Sequence, residues 1–191
     1  MDLAVDGACT AGQATRNRGA DALDRLVASG LARVDLLPYR QTARSRVAVR
    51  VPIVRLTGQG HRAALAEGVR PSVAPLRKLC HAVGMSELRV ALGLEARSVV
   101  GEEALRSAWV RAAVRRHGLP DALFCGEHGV VAVEYDHGKY SAEQVAAKLE
   151  VAPLVSDRVV WGTPSRTRAG WLREQGVLEV LVLRIPLWPR L

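Results

Sequence analysis

Residues 14–56 read ATRNRGADALDRLVASGLARVDLLPYRQTARSRVAVRVPIVRL, and this stretch decides the fold. Its first part, 14–29, sets Ala22, Leu23, Leu26 and Val27 at helical spacing, with Arg16, Arg18, Asp21, Asp24 and Arg25 elsewhere on the surface. That pattern predicts an amphipathic helix with a basic leading half. Gly30 stands where a C-terminal cap belongs. LARVDLL (31–37) and VAVRVPIVRL (47–56) predict two strands around an irregular, arginine-rich PYRQTARSR (38–46). Helix, Gly-Leu turn, strand, basic loop, strand is the order of a winged helix-turn-helix. Thr57 then sits at a helix N-cap ahead of GQGHRAALAEG, whose Ala63, Ala64 and Leu65 are expected to pack back on this domain.

Working outward to the N-terminus, only MDLAVDGACTAGQ precedes the predicted helix. A winged domain has two helices there. Three alternatives follow: a short second helix with the first absent, a start that lies downstream of the true one, or completion by a partner subunit. The domain is therefore expected in a shortened form over residues 1–70.

In the other direction, GVRPSVAP (68–75) breaks the pattern with two prolines and a glycine and predicts a junction. A helical connection is expected over 71–100, interrupted at Gly84 and restarted by Ser86. A helix over Glu102–His117 follows, with Leu105, Trp109, Ala112 and Ala113 on one stripe. PDALFC and VVAVEYD, joined by the turn-rich GEHG, predict a hairpin. A helix over 141–150, a strand at RVVWGTP, a helix over 165–175 and a last strand at VLEVLVLRI complete a domain spanning 101–191, with three or four strands under helices. The fold class is α+β: an N-terminal winged helix-turn-helix followed by a small α/β domain.

Net charge is +8, and eleven arginines lie within 11–70 against Asp21, Asp24, Asp35 and Glu67. Such a surplus attracts a polyanion through counterion release, so double-stranded DNA is the expected partner. Thr15, Arg16, Asn17 and Arg18 are the candidate base readers, since Arg and Asn can pair bidentately with guanine and adenine. Arg40, Arg44, Arg46, Arg50 and Arg55 carry no acidic residue among them and suit phosphate contact. The competing reading is a solvated charged face used for dimerisation. No apolar run is long enough to span a membrane and no signal peptide is legible, so a cytoplasmic protein is expected. Cys9, Cys80 and Cys125 are odd in number and widely spaced, which predicts reduced, mostly buried thiols.

Within PDALFCGEHGVVAVEYDHGK (120–139), Asp121 opens one strand while Glu134 and Asp136 lie two apart on the next. Residues two apart share a face, so these carboxylates are expected to converge across the hairpin. Oxygen donors of this kind hold hard divalent ions, and metal-assisted phosphodiester cleavage uses such a site. Asp121, Glu134 and Asp136 are the candidate ligands for Mg²⁺ or Mn²⁺, the only cofactors the sequence suggests. Lys148 or Lys139 is the candidate charge stabiliser. His128 and His137 read as exposed polar residues near turns, and Trp161 and Trp171 as core or interface.

The hairpin resembles the PD-(D/E)xK nuclease superfamily, whose pattern Pro120, Asp121 and Glu134 match. Asp136 stands where that pattern has its lysine, leaving Lys148, from the next helix, or Lys139 to serve. Three alternatives stay open: an active nuclease using Asp121, Glu134 and Lys148, an inactive nuclease-like module that binds DNA or protein, or surface acids on an unrelated sheet. Taken in order, LDRLVASGLARV, RLTGQGHRAAL, HAVGMSELRVAL, LPDALF and VEYDHGKYSAEQVAAKL resemble the replication-relaxation family of plasmid and other mobile-element proteins. The resemblance implies a winged helix joined to a nuclease-like domain, a role in plasmid replication or DNA processing, and assembly as a homodimer or with other replication or mobilisation proteins.

Overall fold

The computed structural model describes residues 2–40, 46–101, 105, 118–127 and 129–188. Two compact units emerge, one of Met1–Arg97 with Arg184–Leu191 and one of Ser98–Leu183. Both mix helices with a sheet, as the sequence predicts.

In the first unit, α1 (Asp2–Asp6) leads to the two-residue strand β1 (Cys9–Thr10), and α2 (Ala11–Arg18) follows directly. Thr10 starts α2 with a reciprocal capping box: its hydroxyl accepts from the Gln13 amide while the Gln13 side chain accepts from the Thr10 N–H. The single helix expected over 14–29 is in fact two. Gly19 adopts φ 81°, ψ 158°, a conformation essentially restricted to glycine, so α2 ends there and α3 (Ala20–Ala28) begins. The segment 2–13 thus supplies a helix, a short strand and the start of another helix, and the expectation of an absent first helix is overturned.

Gly30, at φ 70°, closes α3 as expected, with the Gly30 and Leu31 amides returning to Val27 and Leu26. Strands β2 (Ala32–Tyr39) and β3 (Val49–Leu56) then pair antiparallel, Val34 opposite Val54 and Leu36 opposite Pro52, in a sheet of order β1-β3-β2. A proline inside a central strand is unusual. Here β1 covers only Ile53 and Val54, so one side of β3 is uncovered at Pro52. Helix α4 (Gly58–Ala66) starts at Thr57, whose hydroxyl accepts from Gly60 N–H. A Cβ at Gly60 would run into the Leu31 carbonyl, so the glycine sets this close approach. Ala63 and Ala64 are half-buried, but Leu65 is exposed.

Helix α5 (Leu79–Ala91) runs unbroken through Gly84 and Ser86, both buried. A helical glycine costs about 1 kcal/mol, and burial of Leu79, Val83 and Leu88 outweighs it at roughly 1.5–3 kcal/mol per side chain. Tyr39, Val51, Ile53, Leu79 and Val83 form the core on one face of the sheet, and Ile185 and Leu187 from the C-terminal segment pack against it. Thr10 Oγ1 donates to the Pro186 carbonyl, and Gly12 leaves no room for a side chain beside the carbonyls of Pro186 and Trp188. The other face buries Cys9, Ala11, Leu23, Ala32 and Val54.

The second unit holds a five-stranded sheet in chain order: β4 (Val99–Gly101), β5 (Ala122–Gly126), β6 (Gly129–Tyr135), β7 (Arg158–Thr163) and β8 (Val180–Val182). The first three are antiparallel, and β6, β7 and β8 are parallel. The hairpin stands where it was predicted. Helix α6 (Ala142–Val151), capped by Ser141, links β6 to β7, and α7 (Arg166–Glu174), capped by Ser165, links β7 to β8. The fifth strand is β4, which lay in the predicted helical connection. The predicted helix 102–117, with Trp109, lies outside the described residues apart from Leu105, which is helical and buried.

Candidate functional site

Asp121 precedes β5, and because Ala122 is opposite Val133, it comes level with Glu134 on β6. Helix α6 lays Lys148 over both. Its Nζ lies 2.8 Å from Glu134 Oε1, 3.9 Å from Asp121 Oδ1 and 2.7 Å from the Leu119 carbonyl oxygen. Asp121, Glu134 and Lys148 thus converge as expected. Tyr140, which the sequence reading did not single out, completes the cluster: its hydroxyl donates to Asp121 at 3.3 Å and its ring sits 5.2 Å from the Lys148 ammonium. The same ring meets Trp161 edge-on at 5.7 Å, and Trp161 is fully buried in the core with Val145, Ala169 and Leu172.

The cluster is closed to solvent. Side-chain exposure is 7% for Asp121, 0% for Glu134 and 8% for Lys148. Burial, reinforced by the neighbouring Asp121 charge, pushes the Glu134 carboxyl well above the ordinary range, against the opposing pull of Lys148. Burial and then Asp121, Glu134 and Asp136 hold the Tyr140 phenol neutral far above its ordinary value. Two carboxylates facing one ammonium are best accommodated when Glu134 keeps a proton.

Asp136 is engaged elsewhere. It lies just past the end of β6, where its Oδ1 accepts from the amides of Gly138, at 2.6 Å, and Lys139, at 2.9 Å. Its Oδ2 meets Arg168 Nε at 2.5 Å, and the Arg168 guanidinium stacks 3.6 Å over Trp171. Lys139 is exposed. The fit to a metal follows from these contacts. Glu134 Oε2 is buried without a hydrogen-bond partner, as a ligand atom would be. Against that, no group of three His, Cys, Asp or Glu side chains among the described residues is placed to hold an ion. The lysine amine stands against both carboxylates. As arranged, these side chains do not fit Mg²⁺ or Mn²⁺. Nor do they offer an acidic surface to a basic partner.

His137 is buried rather than exposed, packed 6.3 Å from the Tyr135 ring. His128 lies outside the described residues. Cys9 is buried, Cys80 half-buried and Cys125 exposed, none of them in a disulfide, so the expectation of mostly buried cysteines fails at Cys125, which lies near the tip of the hairpin.

In the first unit the candidate DNA contacts separate into two groups. Thr15, Arg16, Asn17 and Arg18 form the last turn of α2, not the leading end of a longer helix. Arg16 is taken up in two 2.8 Å bonds to Glu87, whose carboxylate also accepts from Gln13, and Arg16 Nε donates to Asn17 Oδ1. Arg18 is exposed. Arg40 and Arg46 are exposed in the β2–β3 connection and Arg50 near the start of β3, while Arg44 lies outside the described residues. Arg55 differs from these: its guanidinium meets Asp35 at 2.6 Å. No acid lies among these arginines in the sequence, but the β2–β3 register opposes Arg55 to Arg33, beside Asp35.

Among the described residues no helix is long and apolar enough to cross a membrane. The family model for replication-relaxation proteins matches residues 7–151, from the turn after α1 to the end of α6. The chain belongs to the replication-relaxation family, and membership implies a role in the replication or relaxation of a plasmid or other mobile element. The match takes in Asp121, Glu134 and Lys148 and stops before Arg168. No curated protein and no solved structure matches the chain.

Proposed function

We propose that this protein is a DNA-binding component of a plasmid or other mobile element, a winged helix-turn-helix whose wing grips the phosphate backbone, joined to a nuclease-like scaffold that does not cut. The order α1, β1, α2, α3, β2, β3 with a β1-β3-β2 sheet supports the winged reading. The β5–β6 hairpin, followed by a helix crossover to a parallel strand, supports the nuclease-like one. The observation that carries the reading is the exposed arginine series Arg40, Arg46 and Arg50 at the wing. Base reading by Arg16 would require Glu87 to give it up, so affinity is assigned to the wing.

The test is duplex DNA binding by the full chain across a range of salt concentrations. Each phosphate contact contributes about 0.9 to the salt slope. Neutralising Arg44, Arg46 and Arg50 together is expected to weaken binding at low salt and to flatten that slope by up to about three. Unchanged affinity and slope would overturn the wing assignment.

A second reading, a metal-dependent endonuclease carried to DNA by the winged unit, rests on the proximity of Asp121 and Glu134 and requires the Lys148 amine to leave these carboxylates to a metal. Cleavage of plasmid DNA with Mg²⁺ or Mn²⁺, abolished in Asp121→Asn, would establish it. Intact plasmid with both ions would leave the scaffold.

A further inference from the structure

Three oxygens stand around the Lys148 ammonium: Glu134 Oε1 at 2.8 Å, the Leu119 carbonyl at 2.7 Å and Asp121 Oδ1 at 3.9 Å. Two come from the chain just before β5 and one from β6, and the amine reaches them from α6. An ammonium only donates hydrogen bonds, so oxygens on every side suit it. Carboxylates and backbone carbonyls are also the ligands that hard divalent cations take. The cage therefore specifies a cation before it specifies a lysine.

Stoichiometry shows which kind of cation it matches. Elsewhere a buried acid has its own guanidinium, as Asp6 has Arg89 and Asp136 has Arg168. Here two closed-off carboxylates face a single positive charge. Uncompensated charge in such a place is costly. One divalent ion would balance both acids, and one ammonium does not. A second observation points the same way. Oε1 of Glu134 is bonded to the amine, yet Oε2 of the same carboxyl is buried without a hydrogen-bond partner. An ammonium has only three hydrogens to give, whereas Mg²⁺ gathers about six oxygens. An acceptor to spare is what that difference leaves. The amine nonetheless holds the place, because its tether to α6 makes it compete with any free ion as an intramolecular ligand.

We infer that the Lys148 ammonium is a built-in substitute for a divalent cation. It fills the oxygen cage of Asp121, Glu134 and the Leu119 carbonyl, so that the second unit takes up Mg²⁺ or Mn²⁺ only when this side chain is shortened. The inference rests on the reading of that unit as a scaffold that does not cut, and gives the reason for it.

Mn²⁺ titration of the full chain tests this, with the electron paramagnetic resonance signal of the free aqueous ion counting what stays unbound. The wild type is expected to leave that signal unchanged. Lys148→Ala should take up one ion per chain, and adding Asp121→Asn to it should abolish the uptake, which places the ion at the cage rather than on surface acids. A ligand bound only by the folded state stabilises it, so Mn²⁺ should also raise the thermal midpoint of Lys148→Ala and leave that of the wild type where it is. Should Lys148→Ala be unfolded without metal, far-UV circular dichroism reads the same binding as refolding on addition of Mn²⁺. No uptake and no stabilisation by Mn²⁺ in Lys148→Ala overturns the inference and leaves the amine an ordinary buried counter-ion, with the scaffold reading intact. Equal uptake by wild type and Lys148→Ala overturns it as well. Cleavage of plasmid by the wild type would strike the scaffold reading itself.

Discussion

Both units bury ionisable side chains, but in different ratios. In the first unit, the two buried acids Asp6 and Glu87 each take one arginine. Arg89 meets Asp6 through two parallel bonds of 3.0 and 2.8 Å, with both side chains nearly inaccessible. Arg16 does the same to Glu87. In the second unit Asp136 likewise has its own Arg168, but Asp121 and Glu134 share one lysine. A matched bidentate pair neutralises itself and fixes geometry. The unmatched cluster must take its missing positive charge from solution, as a proton on Glu134. One arrangement is therefore a clamp, and the other a clamp whose strength depends on pH.

The largest expected effect comes from removing the shared cation. Lys148→Met leaves Asp121 and Glu134 buried without an ammonium, and breaking a buried pair this way costs about 3–5 kcal/mol. Urea unfolding of the full chain should show that loss at pH 8. It should shrink toward pH 5, where the carboxyls hold protons more readily. A loss below about 1 kcal/mol at both values is typical of exposed pairs, and would mean that the cluster is open to water.

A smaller effect of distinct shape is expected at Glu134. Its carboxyl titrates above its ordinary value in the folded protein, mainly through burial. Between the unfolded and the folded pKa the folded state therefore binds more protons, and stability falls as pH rises. The contribution is fully present below the unfolded value and lost as pH climbs through the folded one. Glu134→Gln has no proton to lose. Its unfolding free energy should lie close to that of the wild type in acid and exceed it increasingly toward neutral and alkaline pH. Parallel curves would show that Glu134 is ionised throughout, and the contrast between the two units would fail.

How much of this was legible depended on sequence distance. The hairpin could be read because alternation and the GEHG turn fix its register locally, and register alone brings Asp121 level with Glu134. Lys148 follows from a helix that Ser141 announces by its capping box. The break at Gly19 was hidden because the apolar spacing of 22–27 suits one long helix as well as a short one. The partners of Arg16 and Asp136 lie 71 and 32 residues away, and no spacing rule links them. The aliphatic run of the C-terminal segment predicts a strand over 177–185. Only Val180–Val182 is strand, and Ile185 and Leu187 beyond it serve the core of the first unit. Gly84 misled because helix propensity is a weak prior beside the burial of Val83 and Leu88.

The smallest expected effect calibrates the other two. Arg158 and Glu179 form an ion pair within the second unit, and Glu179 holds the Arg158 guanidinium above its ordinary pKa through their hydrogen bonds. By hydrogen-bond geometry alone this pair would rank with the buried ones. Yet the arginine side chain is 53% exposed and its partner 34%, so water and salt screen the attraction, and ordering two long side chains offsets much of what remains. Arg158→Ala should cost less than about 1 kcal/mol, and that cost should fall further in high salt. The same salt should leave the Lys148→Met cost almost unchanged, because mobile ions do not enter a closed cluster. Urea unfolding of both variants at low and high ionic strength reads the difference directly. If the Arg158 cost proved the larger or the more salt-resistant, burial would not be what separates these pairs, and the stoichiometry of the Asp121–Glu134–Lys148 cluster would lose its explanatory weight.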